Sequence, residues 1–169
     1  DLALVMGMGI PVAIIYAMGL LQFRIEGRAD VEKLTSAPII GDIPLAEEGN
    51  GKAGGIAVRE NENSLMAETF RGIRTNLQFM LGEENKVILV TSTISGEGKT
   101  FVATNLAISL SLLGKRVVIV GLDIRKPGLN KVFNLSQKEK GITQFLAGPQ
   151  TTDLMSMVQP SGISRTQIG

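Results

Sequence analysis

Lys86 to Thr100, reading Lys-Val-Ile-Leu-Val-Thr-Ser-Thr-Ile-Ser-Gly-Glu-Gly-Lys-Thr, constrains this chain more than any other stretch. Val87 to Thr91 read as a buried parallel strand, and the polar, glycine-bearing turn behind them opens directly into the helical run Phe101–Leu113. Gly96 and Gly98 allow the backbone close to phosphate oxygens, while the helix start aims unpaired N–H groups and a positive dipole end at the same place. This is the setting of a phosphate-binding P-loop. Thr93, Ile94, Ser95, Gly96, Glu97, Gly98, Lys99, Thr100 and Phe101 are expected around a nucleotide; Lys99 reaches the β- and γ-phosphates and the Thr100 hydroxyl ligates Mg²⁺. The strict spacing G-x-x-x-x-G-K-[ST] is not met, because Thr93 holds the first glycine position. A glycine-rich turn with an incidental lysine is the bland alternative, and it does not account for the strand before and the helix after.

Downstream of the loop the pattern extends to β–α–β. Gly114 fits the position just past a helix end, Lys115-Arg116 suit a helix C-terminus, and Val117 to Val120 read as a second buried parallel strand. A right-handed crossover places ligands at the carboxyl ends of such strands, so Asp123 and Arg125 emerge beside the loop. Asp123 there can touch magnesium or a nucleophile; the alternative is turn chemistry before Pro127. Gly141 to Gly148 reads as a short helix ending at glycine, and no element is assigned from Pro149 onward.

Upstream, Leu2 to Phe23 holds no charged residue and would span about 33 Å as a helix, enough for a bilayer core of roughly 30 Å. We expect a transmembrane helix over residues 1–24 rather than a buried core helix, with Arg24 and Arg28 placing the C-terminal side in the cytoplasm. Asp30 can cap a short helix through about Thr35, and the Pro38 to Pro44 stretch reads as an extended juxtamembrane clip. Ala46 to Asn63, rich in Gly, Glu and Asn, is expected as a flexible linker that closes a juxtamembrane region over 25–63. The globular domain is then expected over 64–169. Its first helix is capped by Ser64 and striped by Met66, Phe70, Ile73 and Leu77. Glu68, Arg71 and Arg74 form a charged ladder along one side, which is either a solvated face with local ion pairs or a contact surface.

Composition excludes several chemistries. The chain has no Cys and no His among its 169 residues, which removes disulfides, thiolate metal sites and the commonest general base. Its net charge of +1 comes from interleaved acids and bases and gives no basic patch for nucleic acid. Beginning at Asp1 rather than Met, it reads as a piece of something longer.

The order of these motifs resembles that of bacterial tyrosine kinases of the polysaccharide co-polymerase type: an apolar span, the Pro38–Pro44 clip, Glu68-x-x-Arg71-x-x-Arg74-Thr-Asn, Ser-Gly-Glu-Gly-Lys-Thr, Val-Ile-Val-Gly-Leu-Asp-Ile-Arg-Lys-Pro and Gly-Ile-Thr-Gln-Phe-Leu-Ala-Gly. The resemblance covers nearly the whole chain. It implies an α/β fold, an incomplete P-loop NTPase-like parallel sheet flanked by helices and preceded by one transmembrane helix, at the bacterial inner membrane with the kinase domain cytoplasmic. Lys99, Asp123 and Arg125 would be catalytic, Thr100 and Asp123 the metal ligands, and ATP with Mg²⁺ the cofactors. Glu68, Arg71 and Arg74 would join subunits into a ring. The implied function is autophosphorylation on tyrosine controlling capsular or exopolysaccharide polymerisation and export, with the polymerase and export machinery and a tyrosine phosphatase as partners. A partition or septum-site type ATPase, or a scaffold that binds nucleotide without catalysis, are the alternatives.

Two departures from that family stand out. Gly121 occupies the place of the first aspartate of the Walker A′ motif, and no apolar strand ending in Asp follows residue 127, so Walker B and the tyrosine cluster are missing. The stretch as given is therefore expected to bind nucleotide weakly and not to complete a kinase cycle.

Overall fold

The computed structural model describes residues 2–21, 25, 27–45, 55–61, 63–82, 84–135, 141–148 and 153–163. They fall into two units, residues 1–39 and 40–169.

In the first unit, α1 runs Leu2–Leu21 without a charged residue and with Pro11 inside it. Among the described residues no helix is long and apolar enough to cross a membrane, so the transmembrane helix expected over 1–24 is not borne out by the fold. Asp1 and Gln22 to Arg24 lie outside the described residues, as do the side chains at 2–6, 8, 10, 20 and 21. Gly7, Gly9, Pro11 and Gly19 dilute the apolar character of α1. Helix α2, Arg28–Leu34, starts at Gly27 rather than at Asp30. Asp30 instead sits in the first turn, where a carboxylate favours the helix dipole, and Arg28 reaches Glu32 one turn on at 3.0 Å.

The second unit is built on two helices. Ser64 caps α3, Leu65–Leu81, by accepting the Ala67 N–H at 3.2 Å, as its sequence predicts. Ala67, Phe70 and Ile73 are its buried stripe. Helix α4, Lys99–Ser111, starts two residues before the expected Phe101, and in the turn after it Gly114, in a left-handed conformation, donates its N–H to the Ser111 carbonyl at 2.8 Å. Phe70 meets Phe101 edge-on at 5.9 Å, and Leu106, Ala107 and Ile108 complete the core with Val58.

Two expectations are corrected here. The flexible linker expected over 46–63 includes Gly55 to Val58, which packs on α4: buried Asn105 accepts the Ala57 and Val58 N–H groups at 2.7 and 2.9 Å and donates to the Phe101 carbonyl at 2.9 Å. Residues 46–54 lie outside the described residues. Hydrogen-bond donors facing a buried amide outweigh the low hydrophobicity that marked this segment as unstructured. The clip packs here as well, with Ile40 and Ile43 against the core and the Asn76 amide donating to the Ile40 carbonyl at 2.9 Å.

The second correction concerns the two buried strands. Among the described residues no β-ladder forms, and Val117 is the single bridge position. Val117 and Ile119 face the core while Val118 and Val120 are exposed; Val87 and Leu89 are 88% and 81% exposed. Residues 117–120 thus alternate as extended chain covered on one side, while Val87, Ile88 and Leu89 are all exposed. Beyond them come α5, Leu129–Val132, which the sequence did not announce, and α6, Ile142–Ala147, which it did. A 3₁₀ turn at Met155–Met157 comes last.

Candidate nucleotide-binding site

Three local decisions build the site. At Gly96 and Gly98 the backbone takes φ of +101° and +91°, the left-handed region that a side chain would strain, and a Cβ at either would meet nothing within 4 Å. The loop therefore opens onto free space at its two glycines. Gly98 then serves as the residue before α4, its carbonyl accepting the Val102 N–H at 2.9 Å, so the first N–H groups of the helix face the loop without helical partners. Lys99 and Thr100 are the first two residues of α4.

The Lys99 ammonium lies 3.0 Å from Asp123 Oδ2, both side chains about one third exposed. Asp123 Oδ1 accepts the Lys126 N–H at 3.0 Å. The hydrogen bond from Lys99, followed by that from the Lys126 backbone, holds the Asp123 carboxyl below the usual carboxylate range. The two turns are thus brought together through the side chains of Lys99 and Asp123. Gly128, at the start of α5, packs on Thr100: a Cβ there would lie 2.8 Å from Thr100 Oγ1. Arg125 is exposed.

A nucleotide phosphate would lie at Gly96, Gly98 and the start of α4, with Lys99 beside it. The residues that could hold Mg²⁺ are Thr100 and Asp123, whose oxygens have the hardness that cation favours. No group of three or more acidic residues that could hold a metal on its own occurs among the described residues.

Within the loop, Glu97 turns back so that Oε2 accepts two N–H groups, Thr93 at 2.9 Å and Ile94 at 3.1 Å. Ser92 Oγ donates to the Ile94 carbonyl at 3.1 Å. The sequence placed Glu97 among the residues around the nucleotide and did not foresee that its carboxylate accepts the loop's own N–H groups; the available signal was an acid between two glycines in a segment built for anions.

The charged ladder divides. Arg71 pairs with Glu68 on the exposed side of α3. Arg74 turns to α4, where Nη1 donates to the Ser109 carbonyl at 2.7 Å and to Ser109 Oγ at 3.2 Å. Burial, and next the charge of Arg71, lowers the Arg74 pKa from its ordinary value. Glu68 and Arg71 thus stay together, and Arg74 is engaged inside the unit.

Residues 83–163 match the family model ParA, described as NUBPL iron-transfer P-loop NTPase. The tyrosine-protein kinase CpsD of Streptococcus agalactiae is 35% identical over 101 residues, 60% of this chain and 43% of that protein. A putative tyrosine-protein kinase in the cps region of Klebsiella pneumoniae is 28% identical over 174 residues, 94% of this chain and 24% of that protein. The tyrosine-protein kinase YwqD of Bacillus subtilis is 38% identical over 84 residues, 49% of this chain and 35% of its own length. The chain spans less than half the length of these relatives. A crystal structure of the chimerical protein CapA2B2 superposes with a TM-score of 0.67 at 30% identity, covering 84% of this chain and 57% of the chimera. By sequence this chain is homologous to proteins named bacterial tyrosine-protein kinases, and just under half of it matches a ParA-type P-loop NTPase model.

Proposed function

We propose that this sequence forms the membrane-anchored, nucleotide-binding part of an ATP-dependent kinase that phosphorylates its own tyrosines and so regulates capsular or exopolysaccharide polymerisation and export. The observation that carries this reading is Lys99 paired with Asp123 at 3.0 Å beside a loop opened by two left-handed glycines. Bound ATP with Mg²⁺ would supply the transferable phosphoryl group. Lys99 would face the phosphate oxygens of the bound nucleotide, and Asp123 with the Thr100 hydroxyl would hold the metal. Arg125, exposed two residues beyond Asp123, contributes positive charge where charge builds up during transfer.

Support for an inner-membrane anchor is the charge-free α1, which exposes Val12, Ile14, Ile15, Tyr16 and Met18. Glu68 and Arg71 are offered as part of the contact between subunits in a ring; the polymerisation and export machinery and a cognate phosphatase are the partners the family resemblance implies. The test is phosphotyrosine on the whole protein that contains this sequence, expressed as wild type and Lys99→Met. Signal in the first and none in the second is expected, both in the membrane fraction; equal signal in the two would refute the site.

The ParA model match over residues 83–163 favours a second reading, a partition-type ATPase. Steady ATP hydrolysis that depends on Lys99 with no phosphotyrosine formed would select it.

A further inference from the structure

We propose that Glu97 is a positioning residue that closes the phosphate loop at the point where the strict motif has its first glycine and this chain has Thr93. The inference rests on the nucleotide-binding reading of the loop and goes beyond it to how the loop keeps its shape. Left-handed backbone in the loop is confined to Gly96 and Gly98. Thr93 has no positive φ, so a side chain sits there without strain, and the chain must be turned back at the loop entry by something other than glycine. Glu97 Oε2 does this by accepting two consecutive N–H groups, those of Thr93 and Ile94. A carboxylate taking several backbone N–H groups makes charge-assisted bonds, stronger than neutral ones.

The sign of the charge sharpens the point. An untethered carboxylate within a loop built for triphosphate would repel its ligand. Engaged by two amides at the far end of the loop, it contributes order to the segment Thr93 to Glu97 while Lys99 and the helix start supply the positive field. Both contacts use one oxygen, so a glutamine carbonyl can replace it at the same reach. An aspartate, one methylene shorter, cannot.

The test is titration of the full chain, purified in detergent, with a fluorescent non-hydrolysable ATP analogue and Mg²⁺, together with amide exchange of the unliganded protein. Glu97→Ala and Glu97→Asp are expected to bind about tenfold more weakly, with the Thr93 and Ile94 amides exchanging several-fold faster and the amides of α4 unchanged. Glu97→Gln is expected to stay within about threefold of wild type and to keep both amides protected. Lys99→Met serves as the control for the site. If Lys99→Met weakens binding while Glu97→Ala leaves affinity and both amides as they were, or tightens binding, this inference fails and the nucleotide site stands. Glutamine behaving like alanine overturns it too, since carbonyl reach would then be irrelevant. If Lys99→Met binds as wild type does, the nucleotide reading itself falls.

Discussion

Removing the Asn105 amide tests how the second unit is held together. Asn105→Ala strips the acceptor from the Ala57 and Val58 N–H groups and the donor from the Phe101 carbonyl, all in or next to the core. Two orphaned N–H groups, at about 1–3 kcal/mol each when left dry, set an upper range of roughly 2–6 kcal/mol. A cheaper route is open. The segment Gly55 to Val58 can lift off and hydrate, losing the burial of Val58, about 1.5–3 kcal/mol for a full valine side chain, and of Ile56 in part. The smaller cost decides, so the expected loss is about 2–3 kcal/mol, which for a unit of this size lowers the melting temperature by roughly 6–15 °C. Denaturant melts of wild type, Asn105→Ala and Val58→Ala measure it, with amide exchange at Ala57 and Val58 as the local readout. A change under about 0.5 kcal/mol, with both amides still protected, would refute the clamp and return this segment to a linker.

The other expectations come from the site and from α3. Lys99→Met should cut ATP affinity roughly tenfold or more, because a charge-assisted contact to phosphate is worth about 1.5–3 kcal/mol, and calorimetric titration reads it. Asp123 has its folded pKa depressed, so its pairing is present above the ordinary carboxylate pKa and is lost only as pH falls through the lower folded value; carboxyl NMR should show the Asp123 midpoint moving back up in Lys99→Met. Gly128→Ala drives a methyl to 2.8 Å from Thr100 Oγ1 and should weaken Mg²⁺-dependent more than Mg²⁺-free nucleotide binding in a fluorescence titration. Arg74→Ala should lower stability by about 1–2 kcal/mol in a denaturant melt by unpairing the Ser109 carbonyl. Arg71→Ala should leave the melt unchanged and reduce the assembled mass seen by light scattering.

The glycine-bearing turn and helices α3 and α4 were legible because each obeys short-range rules, caps and periodicity. The Ser64 cap and Gly114 stop are of that kind. Asp123 was expected beside the loop, but not as the partner of Lys99. What the sequence concealed depends on partners distant along the chain. Gly55 to Val58 reads as linker until Asn105, 48 residues beyond Ala57, supplies an acceptor. Arg74 shares the spacing of Glu68 and Arg71, and only the approach of α4 at Ser109 separates it from them. The two apolar runs form no ladder among the described residues, for an apolar run states that cover is wanted and does not state that it is present. Val87 and Leu89 have the composition of a buried strand and stand exposed.

Helix α4 is buried through Thr104, Asn105, Ser109 and Ser111 as well as through its apolar residues. Apolar cores tolerate exchange of shape at constant volume, and a helix packed only by them can slide by a fraction of a turn at modest cost. Amide and hydroxyl contacts have direction, and they weaken steeply once the angle or distance departs from its narrow range. The Asn105 and Ser109 contacts therefore index α4 along its own axis. Lys99 and Thr100 stand at the first positions of that indexed helix, so the reach of an ammonium toward a phosphate is gauged from polar side chains six and ten residues downstream of Lys99.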